Sequence, residues 1–361
     1  MTTPAVGLFD SYSMRGVEFR NRAWVSPMCM YSCTGGVPTE WHLSHLGAFA
    51  RGGAGLVMVE ATGVTPEGRI TSGCSGMWGN EHIEAYLLIT RHISSLGSVP
   101  GIQLAHAGRK GSATLLWEGD RPMLPTQGGW ETIAPSAIPF PGSPVPRAMT
   151  HIDIEEFVSA FVSSARRAIQ AGFRVIEIHA AHGYLLHEFM SPLSNHRMDE
   201  YGGSLDNRIR LTVELAREVR REIGDDIPLF VRVSATDWLD GGWTVADTVH
   251  LGIRLREAGV DLVDCSSGAI VDNVDIDVYE GYQVPLAREV RKGAGIATAA
   301  VGLITRAAHA DEVIRSQGAD AVFLGRALLR NPHWPLLAAE ELGVQAPWPI
   351  QYLPASRRRR P

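Results

Sequence analysis

Between residues 24 and 326 the chain alternates short apolar runs with longer stretches in which apolar residues recur every three or four positions. The short runs fall at 24–26, 56–61, 102–105, 175–179, 229–234, 262–266, 296–301 and 321–324, and stretches such as 154–171, 206–223 and 245–258 read as amphipathic helices between them. Strands alternating with helices predict βα units and a parallel sheet. Eight such units predict closure into a (β/α)8 TIM barrel rather than an open sheet.

Parity within the runs adds a second expectation. Gln103 opposes Ile102 and Leu104, Glu177 and His179 oppose Ile176 and Ile178, and Arg232 and Ser234 oppose Leu229, Val231 and Val233. Alternate residues of a barrel strand face the interior and the helix ring. Three strands therefore aim polar side chains inward, where a barrel filled only for packing carries branched apolar ones. This predicts a ligand-binding barrel with its site at the C-terminal strand ends. Ahead of the first run, 8–12 and 17–20 flank Met14-Arg15-Gly16 and predict an N-terminal β-hairpin plugging the lower end. Residues 110–150 are rich in Pro and Gly, carry Trp117 and Trp130, and lack periodicity, which predicts a long loop excursion after strand 3. Loops of that length in a compact domain are usually functional covers. A single domain is expected over 1–361, with the barrel at 24–335 and a C-terminal tail at 344–361.

Composition narrows the function classes. A hydrophobic fraction of 45% and a charged fraction of 20% are ordinary for a soluble globular chain. The N-terminus lacks a basic stretch leading into an apolar run, and no window approaches the roughly 18 apolar residues of a spanning helix. A cytoplasmic location and no membrane partner are expected. The net charge of -6 gives no electrostatic reason for nucleic-acid binding, apart from the run Arg357, Arg358, Arg359, Arg360, which reads as a solvated tail. Four cysteines without CxxC spacing fit reduced thiols that act singly, if at all.

The pair His179-x-x-His182, followed by Tyr184, lies where the fourth run gives way to its loop. Spacing alone leaves three readings open: two imidazoles aimed at one substrate oxygen, a zinc half-site, or packing histidines. Further metal ligands would have to come from Cys29-x3-Cys33 and His42-x2-His45, whose spacing matches common sites poorly, so no metal is expected. Gly302 and Gly325-Arg326 end the seventh and eighth runs, where barrels commonly bind phosphate through backbone N–H groups, so a phosphate-bearing ligand is expected there. Neither G-x-G-x-x-G nor G-x-x-x-x-G-K-[ST] occurs, which leaves a Rossmann site or a P-loop unsupported.

Several segments together resemble the old yellow enzyme family, more closely its thermophilic-like bacterial branch. They are Ser26-Pro27-Met28-Cys29-Met30-Tyr31, Gly101-Ile102-Gln103-Leu104-Ala105-His106-Ala107-Gly108-Arg109-Lys110, Ile178-His179-Ala180-Ala181-His182-Gly183-Tyr184-Leu185-Leu186, Ser191-Pro192-Leu193-Ser194-Asn195-His196-Arg197, Tyr201-Gly202-Gly203-Ser204 and Phe323-Leu324-Gly325-Arg326. The resemblance implies an FMN enzyme that takes hydride from NADPH or NADH and reduces the activated C=C bond of an α,β-unsaturated carbonyl or nitro compound in a ping-pong cycle. It implies that His179 and His182 bind the activating oxygen, that Tyr184 protonates the α-carbon, and that Tyr31 walls the substrate pocket. Gln103 and Arg232 would meet the flavin ring, with Ser26, Pro27, Met28, Cys29 and Ala61 lining it and Cys29 as the branch's thiol beside the isoalloxazine. Val301, Gly302, Gly325 and Arg326 would hold the phosphate. Without FMN, Arg232 would need a carboxylate partner in an apolar barrel, and Glu177 is the candidate.

The resemblance fails near the C-terminus. The branch often carries a tyrosine followed two residues later by an arginine that reaches a neighbouring subunit, whereas Tyr352 is followed by Leu353-Pro354 and arginines resume only at Arg357. A homodimer or homotetramer acting on a small molecule is still expected. Three rivals remain: an iron–sulfur reductase, which would need a cysteine cluster and further nucleotide domains; a phosphate-handling barrel isomerase or lyase, which would need no flavin; and a flavin-binding redox sensor acting through Cys29.

Overall fold

The computed structural model describes residues 6–346 and 348–356; the arginine run from Arg357 lies outside them. Eight parallel strands close a barrel in chain order: β1 (Ala23–Val25), β2 (Leu56–Gly63), β3 (Val99–Ala105), β4 (Val175–Ala180), β5 (Leu229–Ser234), β6 (Leu262–Ser266), β7 (Ala297–Ala300) and β8 (Ala321–Leu324). Closure pairs β8 with β1, Phe323 standing opposite Trp24. The (β/α)8 expectation holds, and strands 5, 6 and 8 keep their expected limits.

Parity sorts the barrel into two cores. Ile102, Leu104, Ile176, Ile178, Val231, Val233 and Val263 pack outward against the helices. Trp24, Leu56, Met58, Val175, Phe230, Leu262 and Phe323 fill the interior with Phe19 of the hairpin. Trp24 is the centre of this inner core, its ring centroid 4.8 Å from Phe19, 5.7 Å from Phe230 and 5.6 Å from Phe323. The lower barrel is thus a sealed apolar plug, and a polar ligand has room only above it. The hairpin strands are Tyr12–Met14 and Val17–Phe19. The first starts later than expected because Asp10 turns the chain back, its carboxylate accepting from Gly7 N at 2.7 Å.

The helix that follows the excursion, α1 (His151–Gln170), begins before the apolar periodicity does. A capping box sets its start: the Thr150 hydroxyl accepts from Asp153 N, and Asp153 accepts from Thr150 N. Between β3 and α1 runs the expected excursion, held together by three short 3-10 turns and a two-residue parallel pairing of Ile133–Ala134 with Arg147–Ala148. Arg147 pins its end by a bidentate bond to Asp153 at 2.8 and 2.9 Å. No helix of the described residues is long and apolar enough to cross a membrane.

Candidate active site

The chain leaves β4 through a turn that few sequences tolerate. His182 and Gly183 have φ of 60° and 70°, and a Cβ at Gly183 would run into Ala269 O, so glycine is required there by sterics as well as by φ. The turn brings three rings together: His179 and His182 lie 5.2 Å apart at 87°, and Tyr184 lies 5.0 Å from His179 at 90°. Ala181 N donates to His179 Nδ1 at 3.2 Å, so the neutral ring carries its proton on Nε2 and keeps a free donor. Ser234 Oγ accepts from His182 N at 2.9 Å, and His182 Nε2 stands 2.7 Å from Ser266 Oγ. Burial, and then the Arg232 charge, hold both imidazoles well below the ordinary histidine value, so both are neutral N–H donors at neutral pH. Burial pushes the Tyr184 phenol well up, which keeps it protonated.

Beneath this turn Gln103, Glu177, Arg232 and Asp264 form a buried layer. Arg232 Nε lies 3.1 Å from Asp264 Oδ2, and Arg232 Nη1 donates to Ser26 Oγ at 3.1 Å. The expectation that Glu177 partners Arg232 is corrected. Asp264 stands directly opposite Arg232 in the β5–β6 register, whereas Glu177 stands opposite Phe230 and accepts from Gln103 Nε2 at 2.8 Å. The Arg232–Asp264 pair has ion-pair distance but not hydrogen-bond alignment, which leaves Arg232 Nε and both Asp264 oxygens without a hydrogen bond; Glu177 Oε2 lacks one as well.

Residues 26–31 follow β1 along the rim of this layer. A bulge at Glu60 puts Ala61 opposite Gln103, and such bulges re-aim side chains beside sites. Glu60 accepts from Met30 N at 3.0 Å and, through its other oxygen, from His42 Nε2 at 3.1 Å. His42 and Cys33 therefore support the segment, Cys33 Sγ lying 3.4 Å from His42 Nε2. His45 packs on Phe49 and Trp41. Cys29 is partly buried, and desolvation first, then Glu60, raise its thiol well above the ordinary cysteine range. A protonated thiol is a poor nucleophile, which weighs against the redox sensor. Tyr31 has φ of 49°, and its ring lies 6.3 Å from Trp117 of the excursion.

At the ends of β7 and β8, Val301, Gly302, Gly325 and Arg326 line a cleft of about 160 Å³ with Tyr282 and Gln283. Gly302 has φ of 120°, and a Cβ there would crowd Gln283 Nε2 at 2.8 Å. Gln283 donates to Val301 O at 3.0 Å, and its Oε1 stands 3.4 Å from Ser266 Oγ, so polar contacts link the cleft to His182; where the Ser266 hydroxyl donates to His182 Nε2, the neutral ring keeps its proton on Nδ1.

The family model described as NADH:flavin oxidoreductase / NADH oxidase matches residues 7–345. The chain belongs to that family. It is 52% identical over 348 residues to a curated NADPH dehydrogenase of Geobacillus thermodenitrificans, covering 96% of this chain and 97% of that one. Among solved structures, the old yellow enzyme homologue from Zymomonas mobilis superposes with a TM-score of 0.78 at 28% identity, covering 96% of each chain. A 2-naphthoyl-CoA reductase superposes with a TM-score of 0.84 at 25% identity over 94% of this chain, which spans 52% of that longer protein.

As an NADH:flavin oxidoreductase of old yellow enzyme type, the chain is an FMN-dependent oxidoreductase with NAD(P)H as hydride donor. Its buried layer is chemically suited to that cofactor. The unpaired atoms of Arg232, Asp264 and Glu177 would otherwise carry a desolvation penalty, and a flavin ring rich in donors and acceptors matches them. The open backbone at Gly302 and the Arg326 cation suit a phosphate. Of the residues singled out from the sequence, Gln103 and Arg232 lie in this polar floor, Ser26 to Tyr31 and Ala61 along its rim, His179, His182 and Tyr184 at the β4 turn, and Val301, Gly302, Gly325 and Arg326 at the β7–β8 cleft. Sequence reasoning missed Asp264, Ser266, Gln283 and Lys110. The first two were within reach, since they alternate with Val263 and Cys265 in a correctly placed strand. Gln283 carries no local signal.

Proposed function

We propose that this chain reduces the activated C=C bond of α,β-unsaturated carbonyl or nitro compounds, with His179 and His182 binding the activating oxygen and Tyr184 delivering a proton to the α-carbon. The observation that carries this reading is the cluster of two neutral imidazoles and one neutral phenol, set edge-to-face on a single strained turn. FMN, when bound, supplies the hydride that NADPH or NADH has given up; Gln103, Arg232, Ser26, Pro27, Met28, Cys29 and Ala61 would hold its ring, and Val301, Gly302, Gly325 and Arg326 its phosphate.

The protein's own part is electrostatic and acid–base. Negative charge develops on the substrate oxygen as the β-carbon is reduced, so donors fixed there favour the transition state over the ground state. An imidazolium would bind the oxygen too, but burial beside Arg232 makes a second cation costly, and the neutral N–H serves without that cost. Tyr184 holds its proton until a stronger base, the carbanionic α-carbon, appears. Tyr31 and Trp117 form the wall facing the excursion.

The test is an anaerobic absorbance titration of the purified yellow protein with NADPH and then 2-cyclohexenone. Bleaching followed by recovery on enone is expected. A protein that bleaches but ignores enones and nitroalkenes would end this reading. Tyr184→Phe should slow the oxidative half-reaction by on the order of 10²-fold or more, the usual worth of a positioned acid, while flavin reduction by NADPH stays near its wild-type rate. Rapid mixing of each half-reaction separates the two, and equal slowing of both would make Tyr184 a packing residue.

A further inference from the structure

We infer that Lys110 is a positioning residue for His182 and Tyr184, its ammonium tying the β4 turn to the loop that follows β6. This rests on the proposed function for its catalytic consequence, though not for its geometry. Lys110 Nζ donates to His182 O at 3.0 Å and to Ala269 O at 3.1 Å. Both acceptors belong to non-glycine residues in left-handed backbone, with φ of 60° and 71°. Such conformations persist only where surrounding contacts over-determine them, and here one cation bonds both. The two peptides also touch, because Gly183 packs against Ala269 O without room for a Cβ.

The rest of the ammonium faces aromatic rings. Nζ lies 5.3 Å from the Tyr184 ring centroid and 4.6 Å from that of Phe140 in the excursion, within cation–π range. Among the described residues no carboxylate pairs with it at salt-bridge distance. A lysine satisfied only by two carbonyls and two rings, its proton affinity lowered by burial to a pKa of about 8, is an expensive way to fill space. The neighbouring Arg109 repeats the pattern one step away, with Nη2 donating to Ile270 O at 2.7 Å and its backbone N to Glu188 Oε1 at 2.9 Å. Glu188 lies on α2 (Leu185–Met190), which begins directly after Tyr184. Residues 109 and 110 thus hold the turn on both sides of Tyr184, and Lys110 holds the half that carries the imidazole.

A ring displaced by about 1 Å from its productive pose can cost on the order of 10²-fold in rate. Lys110→Met should therefore slow reoxidation by 2-cyclohexenone at least tenfold, with flavin reduction by NADPH nearly unchanged, and Lys110→Arg should restore most of the loss. Native-state hydrogen exchange on the same holoenzymes gives a readout independent of turnover. The amides of His182, Gly183 and Tyr184 should exchange at least tenfold faster in Lys110→Met, with the barrel strands unchanged; Lys110→Gln takes its place if that variant is insoluble. Unchanged exchange at these three amides would overturn the tie, and equal slowing of both half-reactions would reduce Lys110 to packing. A wild-type protein that ignores enones would remove the proposed function alone, leaving exchange to decide whether Lys110 holds the turn.

Discussion

Replacing His179 and His182 together with alanine should slow alkene reduction by on the order of 10³-fold while the protein stays yellow. A single preorganised donor at a developing oxyanion is worth about 10²–10³ in rate. Two donors on one oxygen act as a unit, so the double loss should fall short of the product of the single losses. Cofactor retention follows from where the other groups lie. Gln103 comes from β3, Arg232 from β5, and the cleft of Gly302 and Arg326 from the ends of β7 and β8, none of which lies on the β4 turn. His182 carries one further consequence. Its Nε2 stands 2.7 Å from Ser266 Oγ, so His182→Ala alone leaves that hydroxyl with only its long bond to Gln283, whereas His179→Ala takes the acceptor from Ala181 N. The measurement is single-turnover reoxidation of reduced holoenzyme by 2-cyclohexenone, with bound flavin counted by absorbance. Turnover within a few-fold of wild type would refute the donor assignment, and a colourless double variant would show that the turn helps to hold FMN.

Where the chain was legible, the reason is the short period of a strand. Alternation in 102–105, 175–179 and 229–234 separates an apolar outer face from an inward polar one, and Gln103, Glu177, His179 and Arg232 all lie inside. Barrel closure followed from repetition, since eight amphipathic units have few other ways to bury both faces of their strands. Boundaries set by polar side chains were harder to read. The α1 start belongs to Thr150 and Asp153 rather than to Ile154, and the hairpin begins after the Asp10 turn although Leu8 and Phe9 extend the apolar run backward. The site was legible to the extent that one strand supplies it. Partners from different strands were not: Asp264 was passed over for Glu177 as the counter-ion of Arg232 because strand parity shows which face a residue occupies but not which neighbour it meets. Lys110 is the extreme case, its meaning lying wholly in two carbonyls more than 70 residues away in sequence. The roles of individual residues came from resemblance, and the geometry supplies their physical basis.

The largest stability effect should come from Arg232→Met. Removing one partner of a buried ion pair costs about 3–5 kcal/mol, because the remaining charge has neither water nor counter-ion. Asp264 is fully buried with both oxygens already lacking hydrogen bonds, so it has no second partner to fall back on. It can escape only by taking up a proton, and burial already pushes its carboxyl upward against the pull of Arg232. That fixes the sign of the pH dependence. In the variant, the folded-state pKa of Asp264 lies above its unfolded value, so the folded state binds more protons. Its stability is then greatest below the unfolded value of about 3.9 and declines as pH rises through the raised folded one. Urea unfolding should therefore show a smaller deficit at pH 5 than at pH 8. Arg232→Met/Asp264→Asn should recover much of the loss and shrink the pH dependence, since an amide carries no charge to strand; what remains belongs to Glu177, whose carboxyl is pushed up to about 8 by burial and the Asp264 charge against the pull of Arg232. The same cycle read through flavin retention separates support from recognition: if the double variant folds stably but releases FMN, Arg232 acts on the cofactor directly. A deficit equal at both pH values, or no rescue by Asp264→Asn, would mean that Arg232 is held by contacts other than this pair.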